Sequence, residues 1–90
     1  LQRKVDEKKK ELADQEVSAT SVGDKIKVTA TLSGKITRVE IDPELIKAEG
    51  LDIALDGVCA AVNSALAGAS KTMESELEKV TGGVKIPGMF

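Results

Sequence analysis

The chain has 90 residues, with 13 basic against 15 acidic side chains, a formal net charge of −2 and no histidine. That is one small domain over 1–90, too near neutral to coat a polyanion by bulk charge, and without His or Tyr it lacks the usual nucleophile–base pairs. Hydrophobic residues reach 41%, yet Phe90 is the only aromatic, so the core is expected from Leu, Ile, Val and Ala, shared across a homodimer seam.

Residues 1–14 read as a helix. Leu1, Val5 and Leu12 recur at helical spacing with Lys8 on the same stripe, and the remaining faces are charged. A seam this thin calls for a second helix against it. The basic side chains Arg3, Lys4, Lys8, Lys9 and Lys10 are interleaved with Asp6, Glu7 and Glu11. The chain opens at Leu1 inside this helical pattern, which implies that residues precede it.

Three strands are expected over 15–42. The first alternates weakly, with Val17 and Ala19 against Glu16, Ser18 and Thr20. Gly23-Asp24 is a two-residue hairpin signal, since Gly tolerates positive φ. Lys25 to Leu32 alternates cleanly, Ile26, Val28, Ala30 and Leu32 facing one way and Lys25, Lys27, Thr29 and Thr31 the other. Ser33-Gly34 reverses the chain, and Ile36, Val39 and Ile41 continue it with a phase shift that implies a bulge or burial on both faces. Pro43 ends the ladder, because it has no N–H to donate.

Glu44 to Gly50 reads as a short helical turn or loop. Asp52 is an N-cap candidate for a long helix over 52–81, with Gly50 the alternative boundary. Leu51, Leu55, Val58, Val62, Leu66, Ala69, Met73, Leu77 and Val80 step by three or four, so a helix is required. Ala54, Gly57, Ala60, Ala61, Ala65, Ala67 and Gly68 allow another backbone to come close. Gly82-Gly83 stops the helix and 82–90 forms a tail. No signal-peptide pattern and no apolar run near eighteen residues occur, so the chain reads as soluble and intracellular.

No catalytic residues, no metal site and no cofactor are expected. Cys59 sits amid alanines, where a buried structural role outweighs a reactive one. Glu74, Glu76 and Glu78 are spread around a helix by their spacing of two and read as a solvated end. The basic residues of the first helix, with Lys25, Lys27, Lys35 and Arg38 of the sheet, are the serious candidates, because phosphate contacts need only suitably spaced cations. On composition alone, a solvated charged face is the simpler account. With Phe90 the only aromatic there is no stacking platform, which disfavours single-strand binding by stacking.

The run Arg38-Val39-Glu40-Ile41-Asp42-Pro43-Glu44-Leu45-Ile46 resembles the signature block of the bacterial YbaB/EbfC nucleoid-associated family. The Lys27-Val28-Thr29 core, the Leu51–Val62 region and the closing Gly82-Gly83-Val84-Lys85-Ile86-Pro87-Gly88-Met89-Phe90 are also similar. The resemblance implies an α+β protomer of α-β-β-β-α order that dimerises with projecting helical arms. It further implies binding to double-stranded DNA with little sequence specificity, in the cytoplasm at the nucleoid, to organise it or regulate expression. By position on the arms it places Arg3, Lys4, Lys8, Lys9, Lys10, Lys71 and Lys79 at the DNA. Neither a membrane nor a small-molecule substrate is implied. The alternative from another class is a non-catalytic homodimeric adaptor that recruits a protein through its helical seam.

Overall fold

The structure is a computed structural model and describes residues 2–82; the expected tail beyond Gly82 lies outside the described residues. Helix α1 (Gln2–Leu12) leads into strands β1 (Glu16–Ser21), β2 (Ile26–Thr31) and β3 (Ile36–Ile41). A short helix α2 (Pro43–Glu49) and the long α3 (Leu51–Thr81) complete the chain. The three strands form an antiparallel sheet in the order β1-β2-β3, as the sequence pattern requires.

The alternation of β2 becomes the core. Ile26, Val28, Ala30 and Leu32 are all buried, while Lys25 and Lys27 are exposed. The first turn is closed by Lys25 N–H donating to Val22 O at 3.1 Å, with Gly23 and Asp24 at φ +58° and +68°. Two central residues of positive φ match the right-handed twist of the flanking strands. Val22 also has φ +53°, a strained conformation for a β-branched side chain. Between β2 and β3 the pairing slips from Thr29↔Arg38 to Ala30↔Ile36, so Thr37 is the bulged residue behind the phase shift.

Asp42 caps α2: its carboxylate accepts from Glu44 N–H at 2.9 Å, and Pro43 follows where a missing N–H costs nothing. Gly50 both ends α2 and precedes α3, and no side chain caps α3. The long helix therefore starts at Leu51, with Asp52 inside its first turn instead of at the cap. Gly82, at φ +68°, ends it by donating its N–H to Glu78 O.

The face of α3 that meets the sheet is built on small residues expected to admit another backbone, and it leaves the start of the bulky stripe outside. Ala54, Gly57, Ala61, Ala65 and Ala69 are buried, whereas Leu51 and Leu55 of the bulky stripe are 56% and 51% exposed. The small residues win the sheet because they permit closer approach. A Cβ at Gly57 would lie 2.5 Å from Ile26 Cδ1 and 2.7 Å from Val22 Cγ2. Cys59, two residues beyond Gly57 and so turned off that line, is exposed, contrary to the buried position expected of it. An eighteen-residue stretch of α3 also has a mean hydropathy of 1.4, long and apolar enough to cross a membrane by composition. The expectation of no such run fails because Ile53, Leu55, Val58, Cys59, Val62 and Leu66, with the alanines between them, outweigh the few polar residues in the average.

Candidate nucleic-acid interface

The chain spans 52 × 19 × 17 Å, and its long axis is close to the ~46 Å length of a 31-residue helix. Helix α1 runs antiparallel to the last third of α3. Leu12 joins the cluster containing Ala65 and Ala69, while Lys8 and Lys9 lie level with the Met73–Leu77 stretch. Val5 and Leu12 are completely or almost completely buried, as the helical stripe requires. This α1–α3 pair is the arm.

The seven candidate cations divide into two groups. Lys8 pairs with Glu11 at 3.7 Å, and its charge acts on Glu76 across the arm. Lys79 hydrogen-bonds Glu76, and these two cations hold the Glu76 carboxyl below its ordinary range, the Lys79 hydrogen bond being the larger cause. Lys9 is half-buried in a cleft with Met73, Glu74 and Leu77. Lys71 lies beside Glu74 and Glu78 on α3. The acidic end of α3, expected as a plain solvated face, thus lies beside lysines of both helices.

The second group is free. Arg3, Lys4 and Lys10 are exposed and have no ion pair among the described residues. At ~100° per residue, Arg3 and Lys10 fall about 20° apart and about 160° from the Val5–Leu12 seam. They point away from α3. The sheet cations stand elsewhere: Lys25 pairs with Asp42 at 3.3 Å and Arg38 with Glu40 at 3.8 Å, and Lys27 is flanked by Glu16 and Glu40 on the polar face. Lys35 is exposed just before β3, so four cations stand against Glu16, Glu40 and Asp42, and the face carries little net positive charge.

A second surface emerges that the charge pattern did not disclose. Helix α3 crosses β1 and β2 and barely reaches β3. Ile36 and Val39, on the helix-facing side of β3, remain 37% and 44% exposed, so of the two accounts of the phase shift the bulge holds and burial on both faces does not. Ile46, Leu51, Ile53 and Leu55 are exposed as well. Large apolar side chains concentrated on β3, α2 and the start of α3 mark an interaction surface.

Small size, a two-layer α+β body and a charged helical arm define the class: a compact binding domain. Among the described residues no group of His, Cys, Asp and Glu could hold a metal ion. The chain matches the YbaB/EbfC DNA-binding family over residues 1–84 and belongs to it. It is 38% identical to a nucleoid-associated protein of Myxococcus xanthus, covering 99% of this chain and 85% of that one. A nucleoid-associated protein of Clostridium kluyveri is 37% identical over the whole chain and 79% of its own length. One from Thermoanaerobacter pseudethanolicus is 34% identical, again over all of this chain and 81% of that one. In fold, the structure is similar to the crystal structure of an uncharacterised protein from Helicobacter pylori. The TM-score is 0.65 at 15% identity, over 90% of this chain and 89% of that one.

Proposed function

We propose that this protein is a homodimeric, nucleoid-associated protein of the bacterial cytoplasm. It binds double-stranded DNA with little sequence specificity, to organise the nucleoid or regulate gene expression. The single observation that carries the reading is the family match over residues 1–84. The named relatives, all nucleoid-associated proteins, add to it. The seam is formed by Ile36, Val39, Ile46, Leu51 and Leu55, whose exposure is otherwise unfavourable in water.

Within the arm, Arg3, Lys4 and Lys10 make the primary phosphate contacts. Lys8 serves chiefly to hold α1 on α3 through Glu76, Lys79 is taken up by Glu76 within α3, and Lys9 and Lys71 contribute from the flanks of the arm. Phosphate contacts of this kind position a protein without reading bases, which suits weak sequence preference. Seven cations against six carboxylates in the described arm make the binding modest and salt-sensitive.

A mobility shift against random duplex DNA at two salt concentrations, run beside a sizing measurement, tests this directly. Retarded complexes at low salt and a dimeric mass are expected. A monomer that ignores DNA would overturn the reading. The adaptor alternative draws on the same exposed seam, and recovery of one stoichiometric protein with no DNA retention at low salt would favour it.

A further inference from the structure

We infer that the tip of the β2–β3 hairpin, Leu32–Gly34, is the brace that sets the angle of α1 in the arm, and so positions the DNA-facing cations without touching DNA. The inference rests on the arm reading above and adds a positioning element to it.

Helix α1 is weakly held along most of its length. Val5 and Leu12 are its only fully buried side chains, and an isolated 11-residue helix is marginal in water. On one flank an open cleft of about 370 Å³ separates it from full contact, walled by Lys9, Leu32, Leu66, Met73 and Leu77. The secure attachment lies at its C-terminal end. There Leu32 N–H donates to Gln15 O at 2.8 Å and Ser33 N–H to Ala13 O at 3.4 Å. Leu32 is buried in the same cluster as Leu12.

The tip itself is stiff enough to act as a strut. Thr31 N–H donates to Lys35 O at 2.8 Å and Gly34 N–H to Thr31 O at 3.0 Å. The Thr31 hydroxyl bonds the Ser33 hydroxyl at 2.8 Å and accepts from Lys35 N–H at 3.1 Å. A self-bonded turn therefore grips residues 13–15, where α1 becomes β1, and the cleft beyond leaves α1 room to swing if that grip is lost. Arg3 lies nine residues from Leu12, about 14 Å along the helix axis. A small rotation at the grip becomes a large displacement of the cations.

The test places spin labels at Glu7→Cys and Ser75→Cys in a Cys59→Ala background, with labelled chains diluted into unlabelled protein. The variants are Leu32→Ala, which empties the seat, Ser33→Pro, which removes one gripping N–H, and Leu32→Met as a conservative rescue. Both disruptive variants are expected to broaden the α1–α3 distance distribution while the amides of Ile26 and Val28 stay protected from exchange. Unlabelled, they should bind duplex DNA roughly tenfold more weakly, the cost of re-fixing about one backbone residue. The salt slope should stay unchanged, because no cation is removed. Leu32→Met should restore both readouts. An unaltered distance distribution in a folded Ser33→Pro protein would overturn the brace, whatever the DNA result. A broadened distribution with wild-type affinity would overturn its positioning role. Failure of the wild-type protein to bind DNA would instead count against the underlying function.

Discussion

The Ser21 hydroxyl donates to the Gly57 carbonyl of α3 at 2.7 Å, tying the end of β1 to the helix thirty-six residues later in the chain. The bond forms where the missing side chain of Gly57 lets the sheet approach. Ile26, fully buried, and Val22, held at positive φ, occupy the space a Cβ would need. The junction sets how α3 lies across β1 and β2, and hence how much of β3 it leaves bare.

Gly57→Ala is therefore expected to destabilise the fold by about 1–3 kcal/mol, overpacking outweighing the gain in helix propensity. Gly68→Ala, in the same helix with nothing within 4 Å of its new Cβ, should stabilise it by about 0.5–1 kcal/mol. Urea denaturation of the two variants checks the opposite signs.

The division of arm cations predicts unequal effects on DNA. Replacing Arg3 and Lys10 with Glu should nearly abolish mobility shifts with little change in thermal stability. Lys8→Gln should lower stability slightly, by at most about 1 kcal/mol for a largely exposed pair, and weaken binding less. Replacement of Lys8, Lys9 and Lys10 together by Glu must weaken binding; unchanged affinity would sink the arm model.

Salt dependence follows from the same count. Three free cations on each of two protomers would neutralise about six phosphates, so log K should fall against log[salt] with a slope near −5. A slope close to zero, measured by fluorescence anisotropy on a random duplex, would contradict phosphate-led binding.

Burying Ile36, Val39, Leu51 and Leu55 in a seam predicts strong sensitivity to charge there. Leu55→Asp should weaken self-association by at least about a hundredfold, since an unpaired carboxylate in an apolar interface costs several kcal/mol. Analytical ultracentrifugation reads the shift to monomer. Ser64→Asp, on an exposed position nine residues further along α3, serves as the control.

Two carboxylates predict an acid limb. Asp42 titrates below its ordinary range chiefly because it accepts the Glu44 N–H, with Lys25 adding a second hydrogen bond; Glu76 does so through Lys79. A folded-state value below the unfolded one stabilises the protein above the unfolded value and is lost as pH falls through the folded value. Stability should thus drop as pH falls below about 4. Asp42→Asn combined with Glu76→Gln should flatten that limb in thermal melts without creating an alkaline one.

Much of this protein was legible in its sequence because periodicity is local. The alternation of Ile26, Val28 and Ala30, the Gly23-Asp24 turn, the Thr37 phase slip and the Asp42-Pro43 boundary all involve neighbours in the chain, and each appears where its spacing puts it. The residues Arg38–Ile46 likewise carried the family. Which apolar residues lie inside is a different kind of fact. At the start of α3, Leu51 and Leu55 satisfy the helical period as well as Ala54, Ala61 and Ala65 do, and only the depth of approach to the sheet selects between them. That choice exposed Cys59, Leu51 and Leu55 and left Val39 uncovered. The partition of the lysines was equally tertiary: Glu76 engages Lys8 only because the chain folds α1 back along α3. Sequence determined the elements and the family through short-range pattern; contact between distant segments decided which cations are free and which apolar face is left for a partner.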